Sequence, residues 1–113
     1  MADEKPPRPR LVALPVGSVI GPMRDQIRAL AAETKNVFLS THAEKRMWER
    51  DISSIEVIEV LRIGEIAGAP WIEVSGEQAC KVVFKKRGAR TIGVVVIVLT
   101  KDGLLVKTVE WED

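Results

Sequence analysis

The run from Ser40 to Arg50, STHAEKRMWER, carries the residues of this chain that are best suited to chemistry. It holds the only histidine, His42, followed by arginines at positions 46 and 50. Residues four apart lie on the same face of an α-helix, so these three side chains would form one polar stripe. Imidazole transfers protons near neutral pH, and guanidinium groups bind phosphate oxygens. The spacing therefore favours metal-independent cleavage of RNA, in which His42 carries the proton and Arg46 holds the phosphate.

A structural role accounts for the same stripe. A histidine at the start of a helix can lie at the surface or cap the first turn. Glu44 and Glu49 could pair with Arg46 and Arg50 as a solvated ionic face. Both interpretations of the stripe stay open at this point.

A second cluster is basic: five cations lie between positions 81 and 90 without an intervening acid, namely Lys81, Lys85, Lys86, Arg87 and Arg90. On a strand, Lys81 and Lys85 project from one face, opposite Cys80, Val82 and Phe84, which are expected in the core. A cationic sheet face suits a phosphate backbone, although lysines also keep exposed sheets soluble and unpaired. We predict Lys81, Lys85 and Arg90, together with Arg50, as RNA-binding residues.

The segment from Lys107 to Trp111 is the third candidate. Alternation along a strand places Thr108 and Glu110 on one face and Lys107 and Trp111 on the other. Glu110 could act as a general base and Lys107 as a phosphate ligand, but residues on opposite faces cannot serve one site. Trp111 could stack on a base, although core packing is the commoner role of a large aromatic residue.

Composition limits the alternatives. With 113 residues, 46% apolar and 29% charged, the chain fits one globular domain. The net charge of +1 means that nucleic-acid binding must rest on local patches. A lone cysteine, Cys80, excludes an internal disulfide and a cysteine-based zinc site, and suits the reducing cytoplasm. We expect a cytoplasmic protein with no metal, no cofactor, no signal peptide and no membrane span.

The pattern along the chain indicates a flexible or extended arm over residues 1–20 and one domain over residues 21–113. Three helices come first. The first begins at Gly21-Pro22 and stops near Asn36. The second begins at Ser40 or Thr41, with a capping box from Thr41 to Glu44. The third opens with a capping box from Ser53 to Glu56, presents an apolar stripe of Ile55, Ile58 and Leu61, and ends at Gly64.

Period-two patterns then predict four strands: Trp71–Val74, Ala79–Lys86, Thr91–Leu99 and Leu104–Trp111. Hairpin connections are expected at 86–90 and at Lys101-Asp102-Gly103, with positive φ at Gly103. The predicted fold is α+β, with three N-terminal helices packed on a four-stranded, twisted antiparallel sheet.

The motif Ser40-x-His42-Ala43-x-x-Arg46-Met47-x-x-Arg50, followed by Ile52-Ser53, resembles a bacterial domain-of-unknown-function family with the signature SxHAxxRMxxRxI. Members are often interpreted as toxins of toxin–antitoxin pairs, similar in layout to the RelE and MqsR ribonucleases. The resemblance spans about residues 37–111. It implies a RelE/MqsR-like fold, RNA (mRNA above all) as substrate, cleavage by attack of the 2′-hydroxyl, and a cognate antitoxin as protein partner.

Carried over residue by residue, the resemblance implies catalytic roles for His42, Arg46 and Thr108. The RNA-binding roles of Lys81 and Lys85 are predicted from their chemistry alone, because the motif does not include them. The chain departs from the RelE-like group in being nearly neutral and in lacking tyrosine. The alternative is a non-catalytic protein- or nucleic-acid-binding module, such as an immunity or regulatory protein, in which the same motif caps, packs and forms ion pairs.

Overall fold

The computed structural model describes residues 16–86 and 90–113, with side chains from Val19 onward. Within these ranges the chain forms three α-helices and five strands, an α+β arrangement as predicted. The helices are α1 (Val16–Ala31), α2 (Thr41–Arg50) and α3 (Ser54–Ile63). The strands are β1 (Val37–Leu39), β2 (Glu65–Ile72), β3 (Gln78–Lys85), β4 (Thr91–Leu99) and β5 (Gly103–Trp111). Residues 1–15 of the predicted arm and 87–89 of the predicted hairpin connection lie outside the described residues.

The sheet has the order β1-β5-β4-β3-β2. Strands β2 to β5 pair antiparallel as predicted, but β1 pairs parallel to β5, with Val37 opposite Leu104 and Leu39 opposite Val106. The prediction of four strands, all antiparallel, is therefore wrong. A three-residue strand is too short to show a period, and its partner lies far along the chain.

The ends of the helices differ in detail from the predictions. Helix α1 begins at Val16, so its first five residues fall in the span assigned to the arm, and Pro22 lies inside the helix. Ser40, not Thr41, caps α2: its Oγ accepts a hydrogen bond from the Ala43 amide at 3.0 Å. The capping box of Ser53 and Glu56 on α3 is confirmed.

Two predictions about the strands are also wrong. Strand β2 begins at Glu65, well before Trp71, because its register shifts midway and hides the alternation. In the hairpin between β4 and β5, positive φ falls on Asp102 (55°) and not on Gly103. Gly103 instead lies under Phe38: a Cβ there would come within 3.1 Å of the ring, so the ring would have to shift slightly.

The helices pack on one face of the sheet, here called the covered face. Its core includes Met47 of α2, Leu61 of α3 and, from β3, Cys80 and Val82, with Phe84 packed at the margin, as the alternation predicted. Ile55 does not belong to the core: it is 79% exposed, because α3 buries Val57, Val60 and Leu61 instead. The other face of the sheet, here called the open face, contributes no residue of β3 to this core.

Candidate functional site

Helix α2 is attached to β5 at both ends. The Ser40 amide donates to the carbonyl of Val106 at 3.0 Å, and its Oγ donates to that of Lys107 at 3.1 Å. At the other end, the Trp111 indole donates to the carbonyl of Arg50 at 2.9 Å. A ten-residue helix is about 15 Å long and five strand steps cover about 17 Å. Helix α2 therefore runs beside the second half of β5, where β1 no longer pairs with it.

A β-bulge interrupts β5 at Lys107. Val95 pairs with Thr108 and Val96 with Val106, which leaves Lys107 without a partner on β4. The extra residue breaks the alternation of faces. Lys107 consequently reaches across the open face and binds Glu73 at 2.9 Å. The prediction that Lys107 and Thr108 project from opposite faces is wrong, whereas Thr108 and Glu110 do share a face.

One end of the open face is closed by an apolar patch. Trp71 lies opposite Ala79 on the neighbouring strand, and Ala79 lies opposite Ile97. Ala79 and Ile97 are buried although neither belongs to the main core. The Trp71 indole donates a hydrogen bond to Glu73 at 2.6 Å, and Glu73 is also the partner of Lys107. The salt bridge between Lys107 and Glu73 therefore lies next to the apolar patch. The candidate site therefore comprises the rest of the open face, from its middle to the other end.

The middle of the open face is polar. Lys81, Val95 and Thr108 lie side by side on β3, β4 and β5. In the next row, Gly93 separates Val83 from Glu110. The Lys81 Nζ lies 3.0 Å from Glu110 Oε2 and 3.1 Å from Glu112 Oε2.

These contacts set the charge states. The hydrogen bond with Glu110 raises the pKa of Lys81, and the same bond holds the pKa of Glu110 below its ordinary value. The positive charge of Arg50 contributes further to lowering the pKa of Glu110. Lys81 and Glu110 are therefore both ionised at neutral pH.

The stripe on α2 approaches these rows at Arg50, whose positive charge acts on Glu110. Ala43 and Met47 are buried in the core, and His42, Arg46 and Arg50 occupy the adjacent flank of the helix. His42 is exposed, and the two arginines are half-buried. Arg46 binds Glu49 at 2.7 Å, and Arg50 approaches the same carboxylate at 3.5 Å. The hydrogen bond from Arg46 holds the pKa of Glu49 below its ordinary value.

The seven residues predicted for the site lie at four places in the fold. His42, Arg46 and Arg50 lie on the flank of α2, and Lys81 and Thr108 lie in one row of the open face, so the fold brings these five to one side of the molecule. Lys85 is exposed on the same face, paired with Thr91 near the end of the sheet. Arg90 lies 4.7 Å above the ring of Trp111, whose indole binds the Arg50 carbonyl, and donates to the main-chain oxygen of Asp113 at 2.6 Å.

Three acidic residues and one glycine were not among the predicted site residues. Glu49, Glu110 and Glu112 each bind a predicted cation. The spacing of Thr108, Glu110 and Glu112 carried this signal, because alternate residues of a strand share a face. Gly93 stands out in the β-branched run of β4, and an isolated glycine in a strand often marks a close approach.

In 16–86 and 90–113, no three His, Cys, Asp or Glu side chains converge as metal ligands. No helix in the same part of the chain has the length and apolar character needed to cross a membrane. A separate groove of about 740 Å³ lies between α2 and α3, and Trp48 on its rim is 86% exposed.

Comparison with known proteins finds one family. The model of the family described as "Domain of unknown function (DUF4258)" matches residues 39–111, which include α2, the bulge in β5 and every residue of the candidate site except Glu112. No curated protein and no solved structure matches the chain. Because the match covers well over half of the sequence, the chain belongs to the DUF4258 family.

Proposed function

We propose that the protein is a metal-independent endoribonuclease and the toxin of a bacterial toxin–antitoxin system. The observation that carries the proposal is the attachment of α2 along β5, so that the helix with His42 and Arg46 lies beside the strand that carries Thr108. A proton carrier, several cations and a hydroxyl group thus line one accessible surface. Cleavage of RNA by its own 2′-hydroxyl requires these groups and no metal.

In the proposed reaction, the 2′-oxygen attacks the adjacent phosphorus and the bond to the 5′-oxygen breaks. The products are a 2′,3′-cyclic phosphate and a 5′-hydroxyl end. A base must take the 2′-proton and an acid must protonate the leaving 5′-oxygen. Glu110 would take the 2′-proton once the bound phosphate has drawn Lys81 away from it, and His42 would protonate the 5′-oxygen. Arg46 and Lys81 would hold the non-bridging oxygens, and the Thr108 hydroxyl would donate a further hydrogen bond.

The ion pairs of the free protein do not prevent this binding. Arg46 is paired with Glu49, and about a third of each side chain is exposed. Exposed ion pairs contribute only about 0–1 kcal/mol. A phosphate that accepts two hydrogen bonds from the guanidinium group can therefore displace Glu49.

The same surface supports the remaining parts of the proposal. In the RelE/MqsR-like layout that the motif suggests, helices cover one face of an antiparallel sheet and RNA binds the other. An antitoxin that covers the open face would exclude RNA from Lys81 and Thr108. The thiol of Cys80 is buried and free, which suits the cytoplasmic location expected from the sequence.

The first test is expression in a bacterial host. Induction of the wild-type chain should arrest growth and fragment total RNA, whereas His42→Ala and Arg46→Ala should do neither. Lys45→Ala is the matched control, because Lys45 is an exposed cation between them that points away from the sheet. Normal growth and intact RNA with soluble wild-type protein would contradict the proposal.

The second test uses purified protein and a single-stranded RNA in the presence of EDTA. Cleavage should continue and should leave 2′,3′-cyclic phosphate ends. Arg46→Ala should lower the rate about 100- to 1,000-fold, the usual effect of removing a preorganised donor. Cleavage that stops with EDTA, or that Arg46→Ala leaves unchanged, would place the chemistry elsewhere.

A non-catalytic binding module is the second candidate. It is favoured by the pairing of Arg46, Arg50 and Lys81 with carboxylates of the chain itself, and by the exposed Trp48 beside the groove between α2 and α3. Aromatic residues of this kind often anchor protein partners. This candidate predicts neither growth arrest nor RNA cleavage, and predicts a partner whose binding Trp48→Ala weakens and His42→Ala does not.

A further inference from the structure

Glu112 follows β5 and folds back over the open face. Its backbone amide donates to the Thr91 carbonyl at 2.8 Å, which holds it next to β4. Its two carboxylate oxygens lie 3.2 and 3.1 Å from the Nζ of Lys81. The side chain is only 25% exposed, so the carboxylate is held against the sheet.

Gly93 makes this position available. A Cβ on Gly93 would come within 2.8 Å of Glu112 Cδ, so any side chain there would push the carboxylate away from Lys81. The glycine leaves a shallow notch in the open face, bounded by Lys81 on β3 and Glu110 on β5. The notch holds the Glu112 carboxylate and lies beside the ammonium group of Lys81.

The charges of this region balance. Arg46, Arg50 and Lys81 supply three positive charges, and Glu49, Glu110 and Glu112 supply three negative ones. These six groups therefore exert no net attraction on an approaching polyanion, and the exposed Lys85 near the end of the sheet adds one positive charge. Removal of Glu112 from the notch would leave one uncompensated positive charge, centred on Lys81.

We propose that the Gly93 notch is a binding site for a phosphodiester of single-stranded RNA, and that Glu112 occupies it as an internal substitute for the phosphate. A carboxylate and a phosphate accept the same hydrogen bonds from an ammonium group at similar distances. RNA binds when a backbone phosphate replaces Glu112 beside Lys81. The inference rests on the RNA binding in the proposed function and is independent of the cleavage step.

The test is the affinity of Glu112→Gln for a fluorescent single-stranded oligonucleotide with 2′-O-methyl groups, which cannot be cleaved by 2′-attack. The variant should bind about two- to fivefold more tightly than the wild type, the range set by loss of one exposed ion pair.

Two controls separate a local effect from net charge. Glu44→Gln makes the same change in net charge on the opposite flank of α2 and should bind as the wild type does. Adding Lys81→Met to Glu112→Gln should abolish the gain, because the phosphate then has no ammonium group. Equal affinities of Glu112→Gln and wild type, or equal gains from Glu44→Gln and Glu112→Gln, would overturn the inference.

Cleavage assays on the same proteins keep the two proposals distinct. If Glu112→Gln gains affinity while neither it nor the wild type cleaves RNA, the ribonuclease proposal fails and the phosphate site stands. If the wild type cleaves RNA and Glu112→Gln gains no affinity, the notch proposal fails and the ribonuclease proposal stands.

Discussion

The two faces of the sheet differ in how their side chains are held. On the covered face, packing alone fixes apolar residues, and among the described residues every buried side chain of the core is apolar. On the open face, hydrogen bonds and ion pairs position half-exposed polar residues such as Lys81 and Glu110. Stability therefore depends on one side of the strands, and the proposed chemistry would depend on the other. A substitution on the open face can alter binding at little cost in stability.

Cys80 and Lys81 test this contrast at adjacent positions and should give the largest effect. Cys80 faces the core, and burial raises the pKa of its thiol to about 12. The native protein should therefore react with a thiol reagent at least about a thousandfold more slowly than the unfolded chain. A cysteine introduced by Lys81→Cys in a Cys80→Ala background should react readily. Rapid labelling of native Cys80 would show that the covered face opens easily.

Leu61 and Ile55 offer the same contrast on α3. Leu61 is fully buried, so Leu61→Ala should lower the free energy of unfolding by about 2–5 kcal/mol. Ile55 is 79% exposed, and Ile55→Ala should change the free energy of unfolding by no more than about 0.5 kcal/mol. Urea denaturation of the two variants is the measurement. Similar losses for both would mean that Ile55 is covered in solution.

Ser40 joins α2 to the sheet, because it caps the helix and donates a hydrogen bond to the Lys107 carbonyl on β5. Ser40→Ala should lower the free energy of unfolding by about 1 kcal/mol, the usual effect of losing an N-cap. Thr41→Ala is the control and should have a smaller effect, because Thr41 is exposed and is not the cap. A larger loss from Thr41→Ala would favour the capping box predicted from the sequence.

The smallest expected effect is the pH dependence that comes from Glu110. Its pKa is lowered by Lys81, so its contribution to stability is complete above the ordinary pKa of glutamate, near 4.5, and is lost as the pH falls through the lowered value. Glu110→Gln should therefore lose less stability than the wild type between about pH 5 and pH 3. Glu44→Gln should retain the wild-type dependence. Identical pH profiles for wild type and Glu110→Gln would contradict the ion pair with Lys81.

The sequence was most informative where a pattern is local. The capping box on α3, the alternation of Cys80, Val82 and Phe84, and the bounds of β4 all follow from neighbouring residues, and the structure confirms them. The helical stripe of His42, Arg46 and Arg50 is equally local. The attachment of α2 to β5, which determines what lies beside this stripe, is not a local feature of the sequence.

Features that depend on distant pairing could not be predicted. The bulge at Lys107 is defined by its register with Val95 and Val96, and nothing within β5 marks the extra residue. The position of Glu112 over Gly93 likewise depends on two strands meeting. Arg90 was predicted to bind RNA from its charge alone, and only the fold shows that Trp111 and Asp113 engage it.

The docking of α2 against β5 also has a consequence during synthesis. Strand β5 begins at Gly103, more than 50 residues after α2 ends at Arg50. Until the ribosome has released those residues, α2 has no strand to lie against, and Arg50 does not have Glu110 as a charged neighbour. A growing chain can therefore form its helical stripe early without assembling the surface that would act on nearby messenger RNA. The order of translation keeps the candidate site incomplete until the domain is almost finished.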